Sequence, residues 1–321
     1  PRGNAPGQRG IAHGVAADMN VHSVIADSDK NSVEVLRVST PLVFNPGVKD
    51  AWYFPPTSGQ GIFMTYYPVR KESFMSWFTY DTERPDESVP AELGGPGQRW
   101  LTTQGPVAGN KAFMEVATTA GGIFDSAQPK PETVVDGYST VSYEGCDRGS
   151  VAYNLPSIDS MGVFPIWRLT NDNEALCEQL DEEMISEWVV SEPSSLSSLK
   201  SDHFQINSGL NDAWFYPVTD GQGFFIEVFP EISQMFVGWF TYEVERPDES
   251  ITANLEEPGH RWMTAQGPYS GNRAELDIWV GTGGIFNTVE PRPALHSDGQ
   301  LVIEFDNCNS ATVEYAISSI D

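Results

Sequence analysis

Trp77-Phe78-Thr79-Tyr80-Asp81-Thr82-Glu83-Arg84-Pro85-Asp86-Glu87-Ser88 returns 162 residues later as Trp239-Phe240-Thr241-Tyr242-Glu243-Val244-Glu245-Arg246-Pro247-Asp248-Glu249-Ser250. The offset holds outward from this stretch without a gap, so that Asn45 to Asp159 is matched by Asn207 to Asp321. It carries Asp50-Ala51-Trp52 onto Asp212-Ala213-Trp214 and Gly59-Gln60-Gly61 onto Gly221-Gln222-Gly223. It also carries Arg99-Trp100 onto Arg261-Trp262, Gln104-Gly105-Pro106 onto Gln266-Gly267-Pro268, and Gly121 to Phe124 onto Gly283 to Phe286. An ungapped repeat of this length predicts two copies of one fold. It divides the chain into an N-terminal extension (1–44), a first repeat (45–170), a connecting segment (171–206) and a second repeat (207–321).

Each copy reads as short strands punctuated by turns. In copy 1 the expected strands are Ala51–Pro55, Gly61–Tyr67, Phe74–Asp81, Arg99–Gln104, Ala112–Thr118, Ser139–Glu144, Ser150–Leu155 and Val163–Leu169. The expected class is all-β: two tandem antiparallel domains of about eight strands each, joined by a short helix and linker. A meander closed into a β-barrel is the first choice and a β-sandwich the second. One strand is apolar on both faces: Phe74, Phe78 and Tyr80 point one way, Met75 and Trp77 the other. Copy 2 repeats this with Phe236, Phe240 and Tyr242 opposite Val237 and Trp239. A barrel strand facing water should be polar outside. The outer face therefore calls for a cover: the connecting helix, the other copy or another subunit.

In the connecting segment Leu176, Leu180, Met184 and Trp188 fall at i+4 spacing, one apolar stripe of a helix that should end before Glu192-Pro193. Of the three cysteines, Cys146 and Cys308 occupy the same place in the two copies, and Cys177 lies on the expected helix. A Cys146–Cys177 disulfide is expected, stapling the helix to copy 1 and implying an oxidising compartment; the alternative is three free thiols. Cys308 is then unpaired, because copy 2 ends at the counterpart of Ile158-Asp159, ahead of its own last strand. That strand is trimmed, or comes from the N-terminal extension in cis, or from that of a neighbour. Val33 to Thr40 resembles Val163 to Thr170 in pattern and is the candidate assembly strand, with Val33, Val35, Leu36 and Val38 as its apolar residues. The chain opens Pro-Arg-Gly, without initiator Met or signal sequence, as a processed protein or a fragment would.

The run from Asp50-Ala51-Trp52 through Gly59-Gln60-Gly61, Trp77 to Tyr80, Arg99-Trp100, Gln104 to Pro106, Gly121 to Phe124, Cys146, Tyr153 and Arg168-Leu169-Thr170 to Cys177 resembles an uncharacterised tandem-repeat β-domain family of secreted proteobacterial proteins. The resemblance covers the chain apart from residues 1–44 and implies no catalytic residues.

The formal charge is −27, which disfavours nucleic-acid binding and anionic membrane surfaces. No stretch approaches the roughly 20 apolar residues of a membrane-spanning helix. The acidic loops Asp81–Glu87 and Glu243–Glu249 suit rigid hairpins paired by their own Arg84 and Arg246 better than a calcium site. Neither a catalytic histidine pairing nor zinc spacing is present, and Gly-Gln-Gly reads as a strand-entry turn whose Gln satisfies buried backbone groups. No cofactor and no metal are expected. Trp52, Trp77 and Trp100, with Trp214, Trp239 and Trp262, are either barrel core or a stacking platform for a glycan or small ligand. Trp167 and Trp279 occur in one copy only and are the better partner-contact candidates. The expectation is a non-enzymatic extracellular or cell-surface structural or adhesive protein that self-associates, with a self-assembling filament subunit joined by strand complementation as its concrete form. The alternative is a carbohydrate- or small-ligand-binding module of a secreted protein.

Overall fold

A computed structural model describes residues 23–27, 32–36, 42–86, 88–186, 204–219 and 221–320. In chain order the strands are β1 (Ser23–Asp27), β2 (Ser32–Leu36), β3 (Asp50–Tyr53), β4 (Gly61–Tyr67), β5 (Glu72–Tyr80), β6 (Gln98–Ala108), β7 (Lys111–Ala120), β8 (Glu132–Tyr143), β9 (Arg148–Leu155) and β10 (Ser160–Arg168). After helix α1 (Glu174–Ser186) come β11 (Asp212–Trp214), β12 (Gly223–Phe229), β13 (Gln234–Tyr242), β14 (His260–Ser270), β15 (Arg273–Thr282), β16 (Ala294–Asn307) and β17 (Ser310–Ile317).

The first repeat is a closed eight-stranded antiparallel barrel, in the order β10-β3-β4-β5-β6-β7-β8-β9. Each of the eight expected strands is present. Strand β10 closes the barrel by pairing with β9 along its length and with β3 at Trp167↔Tyr53 and Arg168↔Trp52. Its Phe164, Ile166 and Arg168 point inward and the alternate residues outward. The second repeat is a curled seven-stranded sheet, β11 to β17 in sequence order. It has counterparts of β3 to β9 and, among the described residues, none of β10. Strands β1 and β2 form a separate two-stranded sheet in the unit 1–41. Of the candidate assembly strand, Val33, Val35 and Leu36 are paired with β1; Val38 lies outside the described residues.

Helix α1 packs on copy 1, but not by the expected stripe. Leu176 is 41% exposed, whereas Cys177 is fully buried. Polar anchors set the rotation: Asn45 Nδ2 donates to the Cys177 carbonyl (3.2 Å) and the Val43 N–H donates to Asp181 Oδ1 (2.9 Å). Cys177 is disulfide-bonded to Cys146, and Cys308 is free and exposed. Trp188 and residues 187–203 lie outside the described residues.

The doubly apolar strands explain the joint between the copies. Met75 and Trp77 point into the core of copy 1, and Val237 and Trp239 into that of copy 2. Their outward neighbours Phe78, Tyr80, Phe240 and Tyr242 form a third core with Phe63, Phe225, Trp100 and Trp262. The cover predicted for that face is the other copy.

Candidate functional site

Most of the polar contacts between the copies are reciprocal, as in an isologous dimer. Trp100 Nε1 donates to the Thr241 carbonyl (2.9 Å) and Trp262 Nε1 to the Thr79 carbonyl (2.8 Å). Gln60 Nε2 reaches the Ile285 carbonyl (3.1 Å) and Gln222 Nε2 the Ile123 carbonyl (3.0 Å). The Asp81 carboxylate accepts from the Leu255 N–H (3.0 Å) and from its ion-pair partner Arg99 (2.8 Å). Glu243 does the same for Leu93 (3.0 Å) and Arg261 (2.9 Å). Leu255 and Phe286 of copy 2 are thereby set into the core of copy 1, and Leu93 and Phe124 of copy 1 against that of copy 2.

This exchange accounts for the motifs shared between the copies. In Gly-Gly-Ile-Phe the second glycine lies flat on the tyrosine of the other copy's Trp-Phe-Thr-Tyr strand: a Cβ on Gly122 would sit 2.1 Å from Tyr242, and one on Gly284 2.3 Å from Tyr80. Arg84 does not pair with its own acidic loop. Its Nε and Nη2 donate to the Gly283 carbonyl of the other copy (2.8 and 2.6 Å), and Arg246 makes the matching bond to Gly121. An arginine beside a run of acids reads locally as self-paired; the carbonyl that claims it is distant in sequence. The acids Asp81 and Glu243 are likewise committed to the interface, and no metal-holding group of His, Cys, Asp and Glu occurs among the described residues.

The six tryptophans proposed as a ligand platform are distributed through these cores. Trp52, Trp77, Trp100, Trp239 and Trp262 are buried, so they cannot form an open stacking surface. Trp214 is half-buried and lines a cleft of about 430 Å³ with Phe224, Trp239, Ile303, Val313 and Tyr315. The cleft lies between β11 and β17, the counterparts of the β3 and β9 that β10 bridges in copy 1. Strand β9 is buried at Val151 and Tyr153 (0% and 8% exposed), but their counterparts on β17 are opened: Val313 is half-buried and Tyr315 is 38% exposed. A second hollow, of about 570 Å³, lies between the copies and is lined by Phe63, Phe236, Trp262, Trp279, Leu295 and Leu169 among others, none of them charged. Trp279 and Trp167 are both more than a third exposed.

One further site escaped sequence reading. Arg168, on β10, is buried in copy 1. Its guanidinium ion-pairs with Asp50, donates to the carbonyls of Cys146 and Gly47, and lies 4.6 Å over the Trp52 ring. Groups of Gly47, Asp50, Trp52 and Cys146 thus meet at one arginine, and its signal in the sequence was the place of Arg168-Leu169-Thr170 in the repeat pattern. Compared with protein families, curated proteins and solved structures, the chain matches none.

Proposed function

We propose that the chain belongs to the secreted tandem-repeat family it resembles and is a non-enzymatic extracellular structural repeat protein that self-associates, with strand complementation at copy 2 as the concrete form. The carrying observation is the difference between the copies among the described residues: eight strands close copy 1, while seven form the sheet of copy 2, with a largely apolar cleft between β11 and β17. Unpaired strand edges beside apolar side chains are templates for a further strand. The reciprocal interface supports a structural role, because it spends the shared motifs on rigidity and holds the closed barrel and the curled sheet together. The test is light scattering with electron microscopy over a concentration series, comparing the chain with Val313→Asp. Growth in mass with concentration, abolished by Val313→Asp, is expected; a single-chain mass at every concentration refutes the reading.

The uncharged hollow between the copies favours a second reading, a small-ligand module. Trp279 and Leu295 line it where copy 1 carries Ala117 and Thr133. Its size falls within the usual range for ligand pockets, about 300–1,000 Å³. Saturable quenching of tryptophan fluorescence by a glycan or neutral apolar compound, lost in Trp279→Ala, would establish it; a flat response across the panel would remove it.

A further inference from the structure

We infer that the hollow between the copies is a binding site for a neutral, flat, largely apolar ring compound that carries one hydrogen-bonding end. The inference rests on the small-ligand reading and names the class of ligand. On the side of copy 2 the hollow is walled by the outer face of β13 to β16, with Phe236, Trp262, Thr264, Gln266, Trp279 and Leu295. The register sets these residues side by side: Phe236 pairs with Gln266, Thr264 with Trp279, and Gly281 with Leu295. On the side of copy 1 lie the turn between β3 and β4, the rings of Phe63 and Phe78, and Leu169.

Three differences between the copies converge on this face. Phe236, Trp262, Thr264 and Gln266 repeat Phe74, Trp100, Thr102 and Gln104 of copy 1, but Trp279 and Leu295 stand where copy 1 has Ala117 and Thr133. They add an indole and an isobutyl group to the wall, and both stay more than a third exposed. Apolar side chains kept in contact with water in a concave place are surface that a ligand can cover. The third difference frees a polar group. In copy 1, Gln104 Nε2 donates to Glu72 Oε2 (3.3 Å); the counterpart of Glu72 is Gln234. Gln266 is exposed, and its amide is hydrogen-bonded to no other described residue. Relative to copy 1 the face has gained apolar wall, lost a carboxylate and kept an unspent amide.

The polar inventory of the hollow decides the class of ligand. Gln60 also lines it, but both ends of its amide are in use: Nε2 donates to the Ile285 carbonyl (3.1 Å), and Oε1 accepts from Thr79 Oγ1 (2.6 Å) and from the Asn287 N–H (3.0 Å). Trp262 Nε1 is committed to the Thr79 carbonyl (2.8 Å). The groups left for a ligand on the copy 2 wall are Thr264, Gln266 and the Trp279 N–H, neighbours on β14 and β15, so they serve one end of a molecule. A sugar ring carries hydroxyls around its whole edge, and each one taken from water without a partner costs affinity. The rest of the lining offers aromatic faces and hydrocarbon, which favour a flat ring system. None of the described lining residues is charged, so an ionised ligand would be buried without a counter-charge, and a chain of formal charge −27 repels anions in addition.

The experiment titrates the full chain with pyrenemethanol, pyrene, pyrenecarboxylate and maltotriose. It reads energy transfer from tryptophan to pyrene and, for maltotriose, tryptophan emission itself. Pyrenemethanol is expected to bind saturably, about fivefold tighter than pyrene and about tenfold tighter than pyrenecarboxylate. Trp279→Ala should weaken it about tenfold. Gln266→Leu should erase its advantage over pyrene, and Leu295→Arg should turn the preference toward the carboxylate. All three side chains are exposed, so the fold does not depend on them. Pyrenemethanol binding that ignores Trp279→Ala overturns the site. Equal binding of the alcohol and the carboxylate, or of the alcohol and pyrene, overturns the ligand class. Maltotriose binding that is lost in Trp279→Ala, without binding of pyrenemethanol, also overturns the class but leaves the small-ligand reading standing, and binding of neither overturns both.

Discussion

Replacing His260 by glutamine, the residue copy 1 carries at this position as Gln98, would remove an acid-labile element from the joint between the copies. His260 is fully buried there, with its ring stacked on Trp100 (centroids 4.2 Å apart, 5° between planes) and Nε2 facing the Thr119 carbonyl. Burial pushes its pKa from 6.5 down to about 3; Arg99 and Arg261 push the same way, and hydrogen bonds to Thr119 and Trp100 oppose them. The Glu256 carboxyl, 4.0 Å away, has its pKa raised by burial and is a poor counter-charge. Between those two pKa values the unfolded chain binds a proton that the native chain refuses, so stability is lost as pH falls. From pH 6.5 to pH 4 the loss is about 3 kcal/mol, approaching about 1.36 kcal/mol per unit well below 6.5. Glu256 and Glu227 have raised pKa values and the opposite slope: their contribution is complete below about 4.5 and is lost as pH rises. Taking the difference between wild type and His260→Gln removes most of that background. Gln98 already shows that glutamine fits, donating to the Trp262 and Gly281 carbonyls (2.8 and 3.0 Å). Urea unfolding of both chains from pH 7 to pH 4 should give curves that diverge by about 3 kcal/mol at the acid end. Parallel curves would refute the reasoning.

Phe286→Ala should cost about 3–5 kcal/mol by emptying a site in the core of copy 1 from a residue of copy 2, read by urea unfolding. Its probe is a tryptophan signal from copy 1, where Trp77 lies 5.1 Å from the Phe286 ring; an unfolding transition seen only in copy 2 would contradict the interlocked core. Cys177→Ser should cost about 3–4 kcal/mol by releasing the loop closed between residues 31 apart, and reduction should reproduce the loss. Trp262→Phe should cost about 1–3 kcal/mol, because the Thr79 carbonyl is left buried without its donor; a change under 0.5 kcal/mol would show that water replaces it.

The strands and the duplication were legible because both are local or self-comparing signals. Alternation located β3 to β10, although β8 begins at Glu132 rather than at Ser139, and the excess of aromatics on the outer face of Phe74 to Tyr80 demanded a cover. The pairing partners were not legible. Gln60 was read correctly as a residue that satisfies buried backbone, yet the carbonyl it reaches belongs to Ile285 in the other copy. Arg84 was assigned to its own loop for the same reason: sequence shows the donor and not the distant acceptor. The α1 stripe failed because a disulfide and two polar anchors, rather than leucine burial, fix the helix. The tryptophans could be core or surface by composition alone, and the register between strands decided for the core. The arginine cage became visible only once Asp50, Trp52, Gly47 and Cys146 were seen around Arg168.

Hydrogen–deuterium exchange on β11 and β17, measured at low and high protein concentration with β3 and β9 as internal references, tests assembly at copy 2 most directly. At low concentration β17 and β11 should exchange much faster than β9 and β3, and they should gain protection as concentration rises while the references stay unchanged. Protection of β17 equal to that of β9 under dilute conditions, or exchange at both edges that ignores concentration, would contradict the account.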